Sequence, residues 1–401
     1  MGICHGHGIA PVRAPAMRHS LWPMAAEDRF RVVIAGGGVG ALEGALALRD
    51  LAGERVELRL IAPEADFVYR PQSVGEPFAY AHAGRYPIAA FARDVAAELV
   101  TDSFGWVDTA ARVAHTIAGA ELPYDALLLA LGAHARAPFA NATTIDDRHM
   151  DELLHGLIQD VEEGYVHSVA FVAPSRVGWP LPIYELALMT ARRAREMSVE
   201  VAVTVVTPET APLAVFGPAA GDADAQLAGL LGVVIVTGAL AQVPAPGQVL
   251  LTPSDRRLEV DRVIALPELH GPAVRGLPGG EHGFIPIDRH ARVVGVERVF
   301  AAGDATEYDI KQGGLAAAQA DAAAASIAAL AGADIEPQPF SVEIRGALMT
   351  GADPVYLAAR MGGNHELYAN VSGRAGAEPT AKIAARYLGP YLEDHGPTEQ
   401  G

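Results

Sequence analysis

The sequence predicts an α/β protein built as two tandem Rossmann-like, three-layer domains followed by a small C-terminal segment. Three observations carry that expectation. An apolar run, a glycine-rich turn and a helical stretch succeed one another from Arg31. A comparable strand, loop, helix and strand recur from Ser168. Late in the chain, an apolar strand stopped by Gly303-Asp304 precedes a long alanine-rich helix. With 401 residues the chain exceeds one ordinary domain. Its 50% hydrophobic and 19% charged residues, with 42 Gly and 28 Pro, are those of a globular chain able to bury large cores.

Arg31 to Ala35 reads as a strand, Gly36 to Gly40 as the turn, Ala41 to Asp50 as a helix, and Val56 to Ala62 as a second strand. That is a βαβ unit of the length expected for parallel strands with a right-handed crossover. Leu122 to Ala130 reads as one buried strand turning at Leu131-Gly132-Ala133, with a domain boundary near Thr143 to Leu153. In the second unit, Ser168 to Ala173 is a strand, Pro174 to Pro182 a loop, Ile183 to Glu196 a helix and Val199 to Thr207 a strand. The two units end alike, in Leu60-Ile-Ala-Pro-Glu64 and Val205-Val-Thr-Pro-Glu209, which points to a duplicated nucleotide-binding fold. Leu315 to Ala331 is the alanine-rich helix, its small residues allowing close packing. The expected division is a disordered leader over 1–29, a first domain from 30–150 and 276–340, a second over 151–275, and a C-terminal segment over 341–401. Within the last, Ser341 to Leu348 is strand-like. Ile383 to Leu392, with Tyr387, Leu388, Tyr391 and Leu392, is either a packed C-terminal element or a partner or membrane-surface patch.

Charge and cysteine usage exclude several classes. Thirty Lys plus Arg against 48 Asp plus Glu give a net charge of -18, which repels phosphate backbones, so no nucleic-acid partner is expected. The single cysteine, Cys4, rules out a CxxC pair, an all-cysteine metal cluster and any two-thiol cycle within this sequence. No apolar run approaches the length of a spanning helix. The leader lacks an apolar signal region, contains Met17 and Met24 as alternative starts, and carries Cys4-His5-Gly6-His7, which in a flexible tail is taken as incidental. Glu152 with His155, and Asp222 with Asp224, lack the further ligands of a metal site, and none is expected.

The chemistry resides in the glycine-rich turn. Gly36-Gly37-Gly38-Val39-Gly40-Ala41 satisfies the GxGxxG/A dinucleotide pattern between a strand and a helix. Gly36 permits the tight turn, Gly38 lets backbone approach a pyrophosphate, and Ala41 packs helix on strand while the helix N-terminus faces the phosphates. The acid that holds ribose hydroxyls normally ends the second strand. Here that strand ends in Ala62-Pro63, and Glu64, two residues on, is the candidate, with a solvated turn residue as the alternative.

Gly36 to Glu43, Leu127 to Ala133, and Val299 to Asp304 followed by Lys311-Gln312-Gly313-Gly314 together resemble the three FAD-binding signatures of the pyridine nucleotide-disulfide oxidoreductase-like superfamily. Phe67-Val-Tyr-Arg70-Pro71 resembles the segment found in its branch of type II NADH dehydrogenases, sulfide:quinone reductases and flavocytochrome c sulfide dehydrogenase flavoproteins. The resemblance spans residues from about 31 to about 340. It implies FAD held by the glycine turn, Arg70, Pro71, Gly132 and Gly303. It also implies Asp304 on the ribityl chain, and Lys311, Gln312 and Gly313 beside the isoalloxazine ring. Lys311 is then a cation able to stabilise reduced flavin; the alternative is a surface lysine.

The second unit departs from that pattern. A nicotinamide domain would carry another GxGxxG, whereas Ala173-Pro-Ser-Arg-Val-Gly178-Trp179-Pro-Leu-Pro-Ile-Tyr184-Glu185 has one glycine and three prolines. Proline lacks an N–H, and bulky side chains keep backbone from a pyrophosphate, which argues against NAD(P)H as donor. The loop resembles that of the sulfide-dehydrogenase branch, where a redox cysteine stands near Trp179's position, so a disulfide relay is not available here. Trp179 either covers the flavin or stacks on substrate, or fills an interdomain gap. The function expected is an FAD-dependent oxidoreductase passing electrons from a reduced donor through flavin N5 to a quinone-like or other small acceptor. Two alternatives are an NAD(P)H dehydrogenase of the type II kind, its nucleotide held through the helix N-terminus before Glu185, and a non-catalytic flavin-binding sensor. The expected location is the cytoplasm, with peripheral contact at the inner membrane face through the C-terminal patch.

Overall fold

The computed structural model describes residues 29–361, 367–372 and 383–398. The expected leader, with Cys4, Met17 and Met24, lies outside the described residues except for Arg29.

The chain enters along β1 (Phe30–Ala35), turns into α1 (Val39–Ala52), and continues through β2 (Val56–Ile61), β3 (Ala97–Val100) and β4 (Ala126–Leu129). A second unit follows: β5 (Thr143–Thr144), α2 (Met150–Glu162), β6 (Ser168–Val172), α3 (Leu181–Glu196), β7 (Ala202–Val206), α4 (Pro218–Leu231), β8 (Val234–Val236) and β9 (Arg262–Ala265). The chain then returns to the first unit with β10 (Val299–Ala301) and α5 (Gly313–Leu330). It ends in an antiparallel sheet of β11 (Glu343–Leu348), β12 (Val355–Met361) and β13 (Leu367–Ser372), and helix α6 (Leu388–His395).

Each unit holds a five-stranded, all-parallel sheet, in the order β10-β4-β1-β2-β3 in the first and β5-β9-β6-β7-β8 in the second. Strands buried on both faces must be apolar throughout, which is why β1 reads as a continuous apolar run and not an alternating one. Val32 and Ile34 face α1 and α5, while Val33 and Ala35 face a small antiparallel sheet between residues 104 and 123. The second unit repeats these layers: Val169 and Phe171 face its helices, Ala170 and Val172 an antiparallel sheet over residues 240–259. Both are three-layer units, as expected.

Two strands are shorter than their apolar runs. Leu122 to Ala130 is not one strand: Glu121–Pro123 belongs to the antiparallel sheet and β4 to the parallel one. They part at Asp125, whose carboxylate accepts from Arg31 Nε and Nη2 at 3.0 Å each and so fixes the edge of β1. Val199 to Thr207 becomes a strand only at Ala202, because the N–H of Val199 still closes the end of α3 on Ala194.

The C-terminal sheet packs Ile344, Leu348 and Leu357 into the second unit's core beside Leu181 and Phe216. Helix α6 returns to the first unit, where Leu388 and Leu392 are buried.

Candidate functional site

The C-terminal ends of β1, β4 and β10 meet at the glycine turn, the place where open α/β sheets bind ligands. Gly36 has φ +128°, and a Cβ there would lie 2.1 Å from the carbonyl oxygen of Ala130, so no other residue fits. At Gly38 nothing lies within 4 Å of a Cβ position. The space above this residue is open, and the first N–H groups of α1 point into it. Gly40 faces Ala130 and Ala302, and Ala41 is fully buried, so the start of α1 lies close on the sheet. Glu64, although displaced beyond the strand end, is exposed with its Oε2 3.7 Å from a Cβ on Gly37. The Ala-Pro insertion therefore still brings a carboxylate to the turn. At Gly132, after β4, nothing lies within 4 Å of a Cβ position.

Gly303 has φ +75°, donates its N–H to Gln319 Oε1 at 2.7 Å, and sets Asp304 at the mouth of the site. Asp304 accepts no hydrogen bond from any described residue. Its carboxyl keeps part of its surface at the cleft, while the dense protein around it pushes its pKa up and Lys311 pulls it down. Arg70 reaches Asp147 at 3.4 Å and also favours the charged form of Asp304; Pro71 follows it in the turn Arg70–Phe78.

Lys311 is buried, with its ammonium donating to the carbonyl of Thr306 and lying 3.8 Å from the ring centre of Phe284. Burial lowers its pKa to about 8, against the opposing pull of Asp304, Asp309 and Glu307. It is not a surface lysine. Gln312 caps α5, its Oε1 accepting from Leu315 N–H at 2.9 Å while its Nε2 donates to Arg345 O. Gly313 is covered by Ile383, whose side chain would stand 2.8 Å from a Cβ there.

The proline-rich loop of the second unit reaches this same place. Gly178 O accepts from Lys311 N–H at 2.9 Å, which seats the loop on the Lys311 segment. Trp179, the next residue, packs edge-to-face on Phe216 with ring centres 5.4 Å apart, against the second unit's core. Arg176 is anchored to Glu268 at 2.8 Å.

At the turn of the second unit, Tyr184 donates to Glu209 Oε2 at 2.6 Å, and Thr207 Oγ1 and Ala214 N–H also donate to that carboxylate. Glu209 occupies the position equivalent to Glu64, but its lone pairs are taken. Asp224, which with Asp222 reads from the sequence as a polar loop or helix start, lies within α4, fully buried, with neither carboxylate oxygen hydrogen-bonded among the described residues, and its pKa is raised to about 7 by burial and by Glu209. The Glu209–Tyr184 pair escaped sequence reading, although the repeated Pro-Glu ending marked one partner.

Tyr387 and Tyr391 of the C-terminal patch donate to Asp50 and Asp94 of the first unit, and Leu388 and Leu392 face inward. The patch is a packed element, and peripheral membrane contact loses that basis. No helix among the described residues is long and apolar enough to cross a membrane, and no group of three or more ligating side chains that could hold a metal occurs there. His155 pairs with Asp151 on the surface of α2.

No protein-family profile matches the chain, and no curated protein matches it by sequence. Solved structures do. Sulfide:quinone oxidoreductase from the hyperthermophilic bacterium Aquifex aeolicus superposes with a TM-score of 0.77 at 18% identity, over 91% of this chain and 90% of that one. The chain has the fold of sulfide:quinone oxidoreductase. A ferredoxin reductase from Rhodopseudomonas palustris gives 0.63 at 19% identity over 83% of each chain. Putidaredoxin reductase, in covalent complex with putidaredoxin, gives 0.60 at 20% identity over 83% of this chain and 82% of that one. The two-domain arrangement read from the residues is thus that of known oxidoreductases.

Proposed function

We propose that this protein is an FAD-dependent oxidoreductase that accepts electrons from a donor other than NAD(P)H and passes them to a quinone-like or other small acceptor without a cysteine relay. The observation that carries this reading is the contrast between the two turns: Gly38 opens on free space with Glu64, which no described residue binds, beside the turn, while Glu209 is closed by Tyr184.

The residues present fit FAD. The N-terminus of α1 and the backbone at Gly38 would receive its pyrophosphate, Glu64 would accept from ribose hydroxyls, and Asp304 would accept from a ribityl hydroxyl. When bound, FAD supplies the hydride and electron chemistry; the chain supplies binding, orientation and field. Lys311 contributes a buried positive charge whose position is fixed by Thr306 and Phe284. With its pKa lowered to about 8 it is also able to move a proton near neutrality. The loop at Gly178 bounds the site from the second unit, seated on the Lys311 segment by the Lys311 N–H bond to Gly178 O.

A quinone acceptor is suggested by the name of the Aquifex aeolicus neighbour. The sulfide chemistry in that name does not come across by a dithiol route, since the sequence holds one cysteine. The test is anaerobic: the FAD-loaded protein, reduced by light and a sacrificial donor, is mixed with a short-chain water-soluble quinone. Return of the oxidised absorption band within seconds is the expected result. Persistence of the reduced spectrum would remove quinones from the acceptors.

A further inference from the structure

Glu43 lies in the first turns of α1, four residues beyond Val39, and is fully buried. A carboxylate in that position needs partners, and it finds them in the C-terminal segment. Its Oε1 accepts from the N–H of Tyr387 at 2.9 Å and its Oε2 from the N–H of Leu388 at 2.6 Å, with the N–H of Arg386 adding a third donor. These are the groups that open α6, so Glu43 acts as an external cap for that helix. On its other side, Glu43 is hydrogen-bonded to Asp321 of α5. Asp321 Oδ1 is buried without a partner among the described residues.

Two adjacent carboxyls in this setting hold one proton between them near neutrality. Burial raises both, and the charge on Glu43 raises Asp321 further, to about 8, with only Arg386 opposing. The three backbone donors all point at Glu43, so the proton belongs to Asp321, which donates it to Glu43. The remaining charged and titratable groups at this junction are Asp50, which binds Tyr387, and Asp94, which binds Tyr391 and lies 3.6 Å from His395.

The residues leading into α6 cross the start of α5. The N–H of Ile383 donates to the Tyr69 hydroxyl at 3.1 Å, the Ile383 side chain fills the space over Gly313, and Ala384 lies beside Gly314. Gly313 follows Lys311 and Gln312, so this segment covers the end of the candidate site assigned to the flavin ring.

We propose that Glu43 and Asp321 form a proton-dependent clasp that holds residues 383–395 as a strap across the Tyr69 and Gly313 side of the site. Its consequence for access to the ring rests on the FAD reading above; the clasp itself does not. Loss of the shared proton places a second charge beside Glu43, and hydrating that pair requires the strap to lift. The sign follows from a carboxyl whose pKa is raised when docked. Docking is firmest in acid, weakens above the ordinary carboxylate range, and reaches its weakest level once pH passes about 8.

Amide hydrogen exchange of peptides spanning 383–398 in the full chain, corrected for the intrinsic rate at each pH, tests this without any flavin. From about pH 6 to about pH 9, protection in these peptides falls at least about tenfold, while α1 is unchanged. Glu43→Ala abolishes protection at both pH values. Asp321→Asn, which keeps a donor facing Glu43, retains protection at both and removes the pH dependence. Equal protection of the wild type at the two pH values, or an Asp321→Asn variant that still loosens in alkali, overturns the proposal. Failure to bind FAD with the exchange pattern intact sinks the proposed function and leaves the clasp standing.

Discussion

The two parallel units have the same layers and the same strand order about their switch points, yet only the first keeps an open cradle. In the first, glycines leave room at Gly38, and the acid after the second strand, Glu64, has no hydrogen-bond partner among the described residues. In the second, prolines and Trp179 occupy the turn, and the matching acid, Glu209, is bonded to Tyr184, Thr207 and the backbone of Ala214. A fold keeps its layers while a site is lost, because the layers rest on apolar strand faces and the site on a few loop residues. The second unit has become a wall of the first unit's site, with Gly178 seated on Lys311.

Breaking the first turn should have the largest effect. Gly36→Ala forces a left-handed backbone on alanine and drives its Cβ into Ala130, costing on the order of 3 kcal/mol and flavin retention together, read by calorimetry and by the visible band. In the loop of the second unit, Gly178→Ala sets its Cβ 2.6 Å from Lys311 Cγ but requires no left-handed backbone, and should cost less, about 1–2 kcal/mol. Equal losses at the two sites would dissolve the contrast.

Tyr184→Phe leaves Glu209 part-buried without its shortest donor and should lower stability by about 2 kcal/mol in urea unfolding, with flavin affinity unchanged. Gly38→Ala is the sharper counterpart. A Cβ there meets no protein atom, so stability should hold within about 0.5 kcal/mol while FAD affinity falls about tenfold, by titration. Unchanged affinity would mean that no ligand approaches Gly38.

The smallest expected effect concerns Asp224, which is protonated in the fold at a pH where the unfolded chain ionises. Its contribution to stability is full in acid, declines above the ordinary carboxylate range and is lost once pH passes about 7. Asp224→Asn should therefore gain on the wild type with rising pH over that interval and then run parallel. A constant difference would show that Asp224 keeps its charge.

The first unit was legible because its determinants are local: the glycine turn, the apolar strands and Gly303-Asp304 are contiguous in sequence and fixed by backbone geometry. Glu64 was legible only as a candidate, since its approach to Gly37 depends on how the Ala62-Pro63 bend is laid against the turn. Trp179 could be placed in a loop but not against Phe216, which is distant in sequence. Glu43 reads as an ordinary helix residue until α6 docks on it, and Asp224 reads as a polar loop or helix start until packing buries it near Glu209. Each depends on how distant segments pack, which single-sequence patterns do not encode.

The most direct test of the central contrast is the visible absorption spectrum of the FAD-loaded protein, recorded anaerobically before and after NADH and then NADPH. The two-turn account predicts a flavin band that neither nucleotide bleaches. Prompt bleaching by either would contradict it, showing that the second unit binds a nicotinamide nucleotide despite Tyr184, Glu209 and its proline-filled turn.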